Sequence, residues 1–293
     1  MSENNNKFPG ENNTGHIWDE DIRELDNRPP RWYMWSFYFS IIMVIAYAFY
    51  YPAIPWFDSH SKGSANWTQI KEYKESVQEL EAIRKKRFAK IEQDIKEKSL
   101  SEILNDSELT NYAIKTSKTI FGDNCATCHG AGGQGNIGFP ILADDDWLYG
   151  GSIDNIHTSI TNGRKGIMPA HKDMLTTAEL DTLTDFILAA SVGANKSAEG
   201  QQLFMTKGCL ACHGADMKGN IMLGGANLTD KIWRFKAEDQ RAEIKKTIAY
   251  GVNMPGNSNS QNAVMPAFGN SKLIDKQQIK KLAIFVHQLG GGK

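Results

Sequence analysis

The motif Cys-x-x-Cys-His occurs twice and constrains this chain more than any other feature of its sequence. The first copy reads CATCH at positions 125–129, and the second reads CLACH at positions 209–213. In this pattern two thiols add to the vinyl groups of a porphyrin, and the adjacent histidine ligates the iron. We therefore expect two covalently bound haem c groups, with His129 and His213 as proximal iron ligands. The attachment cysteines are Cys125 and Cys128 for the first haem and Cys209 and Cys212 for the second.

The composition excludes several other classes of protein. All four cysteines lie in the two motifs, so none is left for a structural disulfide or a zinc site. The formal net charge of −1 gives no basic bias, and we expect no nucleic-acid partner. A chain of 293 residues can hold about two domains of ordinary size together with shorter appendages.

A run of 20 uncharged residues from Trp32 to Tyr51 predicts a membrane-spanning helix. At helical rise such a run covers roughly 30 Å, the thickness of a hydrocarbon core. Trp and Tyr residues at both ends resemble the aromatic belts of membrane interfaces. A cleaved signal peptide fits less well, because the preceding segment is long and acidic and the run lacks a small-x-small cleavage site. A buried core helix of this length and aromatic content would be unusual.

The basic residues around this anchor predict its orientation. Arg23, Arg28 and Arg31 precede it, whereas Lys62 is the sole basic residue in the following stretch of similar length. The positive-inside rule therefore assigns the N-terminus to the cytoplasm and the rest of the chain to the outside. Covalent haem attachment in bacteria also takes place outside the cytoplasmic membrane. We expect a single-pass protein of the bacterial inner membrane, bound to the lipid bilayer, with periplasmic haem domains.

The segments on either side of the anchor are assigned from their composition and charge. Residues 1–31 form a cytoplasmic segment, and its first 16 residues are polar enough to predict a disordered tail. The anchor occupies residues 32–51, and an external linker follows at residues 52–107. Within the linker, residues 67–98 are charged, lack Pro and Gly and predict a long helix. Its apolar stripe indicates either a docking helix or a solvated amphipathic spacer.

The region after residue 108 repeats itself and predicts two domains of one kind. Each copy contains a haem motif, the tripeptide Gly-Asn-Ile, a tryptophan, the tripeptide Met-Pro-Ala and an amphipathic closing helix. The copies occupy residues 108–193 and 194–293, with closing helices predicted at 178–190 and 274–289. Both copies resemble class I cytochrome c domains. The expected fold is mainly α, with one N-terminal transmembrane helix followed by two tandem class I cytochrome c domains.

The methionines of the Met-Pro-Ala tripeptides are the candidate sixth iron ligands, because His/Met ligation is the usual cytochrome c arrangement. Met168, 39 residues after His129, is the candidate for the first haem. For the second haem there are two candidates. Met265 resembles Met168 in its Met-Pro-Ala sequence and in its distance from the closing helix, whereas Met254 resembles Met168 in its spacing from the proximal histidine, here His213. We favour Met265, with Met254 as the alternative.

Two further residues have expected roles near the first haem. Pro140 occupies the place where a cytochrome c carbonyl accepts the Nδ1–H of the proximal histidine. The second copy has Ala226 near the equivalent point, and we do not extend the role to it. Arg164 either pairs with a haem propionate or is an ordinary surface arginine.

Two stretches and the order of the segments resemble subunit III (CcoP/FixP) of cbb3-type cytochrome c oxidases. The stretches are DEDIRELDNRPPRWYMWSFYFS at 19–40 and FPILADDDWLYG at 139–150. The resemblance implies that the chain relays electrons from a donor cytochrome c, through both haems, to a mono-haem cytochrome c subunit and a haem–copper catalytic subunit. Oxygen reduction and proton transport belong to that complex, and the resemblance implies no O2-reducing site in this chain.

Two other functions are compatible with the motifs. One is a membrane-anchored dihaem electron shuttle, or an electron-transfer subunit of another respiratory complex. The other is a dihaem peroxidase, which requires one haem with an open or labile sixth coordination site. Two methionine-capped haems favour electron transfer over either oxygen or peroxide chemistry.

Overall fold

A computed structural model describes residues 10–19, 21–56 and 59–292 of the chain. The chain divides into two compact units, Met1–Arg87 and Phe88–Lys293. The first unit contains the anchor helix, and the second contains both haem motifs.

The first unit begins with a β-hairpin. Strand β1 (Asn13–Trp18) pairs antiparallel with β2 (Ile22–Leu25), and Trp18 stands opposite Ile22. The expectation of a disordered tail over the first 16 residues is therefore wrong for residues 13–16, because the chain folds back on itself and their backbone pairs with the next strand. Residues 1–9 of that expected tail lie outside the described residues.

Helix α1 (Arg31–Tyr50) corresponds to the expected anchor. Within the described part of the chain it is the one helix long and apolar enough to cross a membrane, judged by length and composition. The helix ends at Tyr50 because Tyr51 precedes Pro52 and adopts an extended conformation, as residues before proline prefer. Its apolar side chains, such as those of Ile42 and Phe49, are exposed. A short hairpin follows, formed by β3 (Pro55–Trp56) and β4 (Ser59–His60).

Helix α2 (Gln69–Glu97) is the expected long charged helix, and its two parts differ. Up to Arg87 its apolar side chains, including Ile70 and Leu80, are exposed, which matches a solvated spacer. In its last turns Ile95 is fully buried in a helical core. The docking interpretation therefore holds for the C-terminal turns and the spacer interpretation for the rest.

The haem-motif unit is built from short, capped helices. Ser99, Thr176 and Asp275 each form a capping box at the start of a helix, which satisfies otherwise unpaired backbone N–H groups. The helices are α3 (Leu100–Asn105), α4 (Ser107–Asn124), α5 (Ala126–His129), α6 (Ile153–Asn162), α7 (Thr177–Ser191), α8 (Ala198–Thr206), α9 (Leu210–His213), α10 (Gln240–Tyr250) and α11 (Lys276–His287).

These helices form two separate hydrophobic cores, and the closing helices are exchanged between them. The first core combines α3, α4 and α6 with α11, where the rings of Phe121 and Phe285 pack with their centroids 5.0 Å apart. The second core combines α7 with α8 and α10, where Phe186 and Phe204 pack at 5.9 Å. The closing helix of each sequence copy therefore packs against the helix that precedes the haem motif of the other copy.

This packing differs from two domains that each close on their own helix, as the division at residue 193 implied. The short connection from α7 to α8 gives a physical reason, because consecutive elements joined by few residues pack side by side. Helix α7 therefore lies against α8, and α11 fills the groove left in the first copy. Ion pairs from Arg241 to Asp185 (2.6 Å) and from Lys245 to Asp181 (2.7 Å) link α10 to α7.

Candidate haem-binding sites

Each haem motif folds as a single helical turn that brings its cysteines and histidine together. In the first motif the backbone N–H of His129 donates to the carbonyl of Cys125 at 2.9 Å, and in the second His213 donates to Cys209 at 3.0 Å. Each turn ends at a glycine with positive φ, Gly130 at 76° in the first motif and its counterpart at 77° in the second. A left-handed glycine is the usual way to terminate a helix immediately after its last residue.

The proximal histidines are oriented by backbone carbonyls. The Nδ1–H of His129 donates to the carbonyl of Pro140 at 3.1 Å, as the sequence predicted. His213 makes the same bond to the carbonyl of Ala226 at 2.8 Å, which sequence reasoning did not assign. The acceptor is a main-chain atom, so the loop conformation matters more than the residue type. In both rings Nε2 is left to act as a metal ligand, which is the second-shell arrangement expected for a ligating histidine.

Burial lowers the pKa of both imidazoles, more strongly than the carbonyl hydrogen bonds raise it. The neutral imidazole is the form that ligates a metal. Burial and the neighbouring Cys128 raise the pKa of the Cys125 thiol to about 11, and burial raises the pKa of Cys209. Reactive Cys-x-x-Cys pairs of redox enzymes have lowered thiol pKa values. The raised pKa values of these two thiols are therefore the opposite of those in a disulfide-exchange centre.

The Met-Pro-Ala loops are exchanged in the same way as the closing helices. Met168 packs against the second core, as Cys209 also does, and exchanges two 3.0 Å backbone hydrogen bonds with Val252. Met265 packs against the first core, as Cys125 also does, and its backbone pairs with Arg164 at 2.8 and 2.9 Å. The sequence expectation joined Met168 to the first motif and Met265 to the second. Each methionine packs against the core that contains the haem motif of the other sequence copy.

Met254, the alternative ligand, lies in a polar turn. Its backbone N–H donates to Ser260 Oγ at 2.9 Å. It belongs to neither core cluster among the residues that the structure describes. Its position therefore favours Met265 as the methionine of the second sequence copy that reaches a haem.

Two glycines make the exchange of the methionine loops possible. Gly163 (φ 67°) ends α6 and Gly251 (φ 74°) ends α10. A Cβ on Gly163 would lie closer than 3.0 Å to the carbonyl of Met265, and one on Gly251 equally close to the carbonyl of Met168. Each glycine therefore lets the methionine loop of the other copy cross over its own helix end.

A membrane-spanning helix followed by two haem c motifs in paired helical cores defines a membrane-anchored dihaem c-type cytochrome. Three family descriptions match successive parts of the chain. Residues 10–58 match the N-terminal domain of cytochrome oxidase-cbb3, FixP, residues 113–187 match cytochrome c oxidase, cbb3-type, subunit III, and residues 197–290 match cytochrome c.

Curated relatives extend over nearly the whole chain. The cbb3-type cytochrome c oxidase subunit FixP of Azorhizobium caulinodans is 36% identical and covers 97% of this chain and 94% of its own length. The subunit CcoP of Cereibacter sphaeroides is 35% identical and covers 97% of both chains. The chain therefore belongs to the FixP/CcoP family of cbb3-type cytochrome c oxidase subunits. It is a dihaem electron-transfer subunit that carries two haem c groups and is a component of an oxidoreductase complex.

Proposed function

We propose that each haem is ligated by the histidine of one sequence copy and the methionine of the other. The first haem, attached through the motif at 125–129, takes His129 and Met265, and the second takes His213 and Met168. This proposal is supported by the packing of Met265 and Cys125 against one hydrophobic core and of Met168 and Cys209 against the other. It keeps every ligand that the sequence predicted and reverses the pairing of the methionines.

Different residues of the chain would bind different parts of each haem. The cysteines would attach the porphyrin covalently and the methionine of the crossing loop would supply the second iron ligand, while a main-chain carbonyl orients each histidine. When bound, haem supplies reversible one-electron chemistry. A sixth ligand from methionine raises the reduction potential and closes the site to oxygen. This arrangement supports an electron relay.

The orientation of the chain in the membrane and its electron donor and acceptors are also part of this proposal. The N-terminus faces the cytoplasm and the haem domains face the periplasm, supported by the arginines that precede α1 and the lysine-poor stretch that follows it. The donor is a cytochrome c, and the acceptors are the mono-haem cytochrome c subunit and the haem–copper catalytic subunit. Oxygen is reduced in that catalytic subunit.

Single-haem variants of the full chain test the ligand pairing. Cys209→Ala with Cys212→Ala keeps the first haem, and the corresponding change at Cys125 and Cys128 keeps the second. In the first-haem protein we expect Met265→Leu to abolish the sulfur-to-iron charge-transfer band. Met168→Leu should have that effect in the second-haem protein.

Met254→Leu is the matched control, because it removes a methionine from the same chain segment. It should leave the band unchanged in both single-haem proteins. Loss of the band from Met168→Leu in the first-haem protein would contradict the crossed pairing and restore the pairing within each copy. Purification in mild detergent tests the relay itself, since an oxidase subunit copurifies with a haem–copper subunit and a free shuttle does not.

A further inference from the structure

The two methionine loops differ in the residue three positions after the methionine. The loop of the first copy reads Met-Pro-Ala-His and ends at His171, whereas that of the second reads Met-Pro-Ala-Phe and ends at Phe268. The backbone N–H of His171 donates to the carbonyl of Ile248 in α10 at 3.1 Å. That of Phe268 donates to the carbonyl of Ile160 in α6 at the same distance. His171 therefore occupies beside the second core the position that Phe268 occupies beside the first.

The imidazole of His171 is buried and has an unused nitrogen. The residue is 7% exposed, and within the described ranges its Nδ1 has no hydrogen-bond partner. Nearly all buried polar atoms in proteins are hydrogen-bonded, so an exception requires an explanation. Packing does not explain this one, because the apolar ring of Phe268 packs against the first core at the equivalent position. An imidazole nitrogen with an unused lone pair is a ligand for iron.

His171 lies close to both proposed ligands of the second haem. It follows Met168 by three positions, which span at most about 10 Å of chain. Met168 packs against the second core, and Ile248, which accepts the backbone hydrogen bond of His171, belongs to that core. Burial lowers the pKa of the proximal His213, and a positive charge on His171 lowers it further. A small shift of the methionine loop therefore exchanges one potential ligand for another.

We propose that His171 is a reserve iron ligand of the second haem, which takes the sixth coordination position when Met168 leaves it. This inference rests on the proposed ligation of that haem by His213 and Met168. In the exchange one iron–sulfur bond breaks and one iron–nitrogen bond forms. A neutral imidazole replaces a neutral thioether, so the exchange requires no electron, proton or further reactant.

The reserve ligand keeps the second haem closed to oxygen. A haem that loses its sixth ligand can bind oxygen, whereas a second imidazole fills that position. The exchange also lowers the reduction potential, because a methionine ligand raises it. The second haem therefore stays a one-electron carrier after its methionine is lost, although at a lower potential. The loop of the first haem carries Phe268 at this position, and a phenyl ring supplies no ligand atom.

The spin state of the second-haem protein tests this inference. That protein is the full chain with Cys125→Ala and Cys128→Ala. In its Met168→Leu variant we expect loss of the sulfur-to-iron charge-transfer band, while the ferric haem stays low-spin because two imidazoles ligate it. Adding His171→Phe should convert the haem to a high-spin form that binds carbon monoxide when reduced. Electron paramagnetic resonance and absorption spectra measure both changes.

Two sets of variants provide the controls. His157→Phe removes another partly buried histidine of the first copy. Combined with Met168→Leu in the second-haem protein, it should leave the haem low-spin. In the first-haem protein Met265→Leu should give a high-spin haem, because Phe268 cannot replace the lost ligand. Adding Phe268→His to that variant should restore a low-spin spectrum.

The outcomes separate this inference from the crossed ligation. A high-spin haem in Met168→Leu of the second-haem protein, or a low-spin haem that persists after His171→Phe is added, would overturn the reserve ligand and leave the crossed ligation intact. Persistence of the charge-transfer band in Met168→Leu would instead overturn the crossed ligation, and the reserve ligand with it. If the double variant does not retain its haem, Phe268→His decides: a restored low-spin spectrum supports the inference, and a haem that stays high-spin contradicts it.

Discussion

Replacing Phe285 with alanine should loosen the core around the first haem motif, although Phe285 belongs to the second sequence copy. Its ring packs 5.0 Å from that of Phe121, which is 1% exposed. Truncating a buried phenylalanine costs about 3–5 kcal/mol of unfolding free energy. Because about 1.4 kcal/mol corresponds to a factor of ten, even the lower value reduces amide protection in this core roughly 100-fold.

Hydrogen exchange followed by mass spectrometry on the full chain measures this effect by segment. We expect peptides from α4 (Ser107–Asn124) to exchange faster in Phe285→Ala, while peptides from α8 (Ala198–Thr206) keep their protection. Phe186→Ala is the reciprocal control, because Phe186 packs against Phe204 in the second core. It should expose α8 and leave α4 unchanged. Faster exchange of α8 alone in Phe285→Ala would refute the exchange of closing helices.

Three further perturbations follow from the described contacts. Gly251→Ala brings a Cβ against the Met168 carbonyl, at a residue whose φ of 74° and ψ of −172° are open almost only to glycine, and this costs about 1–3 kcal/mol. We expect the charge-transfer band of the second haem to weaken, with no change at the first. Asp146→Asn should stabilise the protein at neutral pH and leave it unchanged near pH 3. The native pKa of Asp146, about 6, lies above the ordinary value of 3.8, so the wild-type protein loses stability as pH rises from 3.8 to about 6. Urea unfolding at neutral pH and near pH 3 measures the difference between variant and wild-type. An equal effect of the substitution at both pH values would contradict the reasoning. Glu92→Ala leaves Lys281, which is 7% exposed and pairs with Glu92 at 2.9 Å, without its counter-ion. We expect a loss of about 3 kcal/mol, measured by thermal unfolding, whereas joint replacement of both residues by methionine should cost far less.

The sequence was sufficient to predict the parts of the molecule that depend on local pattern. The haem motifs, the anchor and the closing helices follow from residue spacing, and helix α7 (Thr177–Ser191) begins and ends within one residue of the expected 178–190. The carbonyl of Pro140 was assigned correctly to His129. That of Ala226 was missed, because a main-chain acceptor leaves no signature in the residue type.

Helix exchange could not be predicted from the same patterns. Both closing helices are amphipathic and each copy offers a similar groove, so periodicity alone does not determine which helix fills which groove. The choice depends on the short connection between α7 and α8 and on contacts such as that of Phe121 with Phe285, which are far apart in sequence. The proposed pairing of methionines with haem motifs rests on this long-range choice.

The exchange of helix α11 into the first core also sets the order of events during biogenesis. In the proposed orientation the first motif is exported early, whereas the helix that completes its core, Lys276–His287, follows much later in the sequence. Until that helix is available, we expect the groove around Cys125 and Cys128 to stay open. Closing a loop of this length is entropically slow compared with local helix formation. We therefore expect the thiols of the first motif to be accessible to haem attachment until helix α11 packs into the first core and closes the pocket.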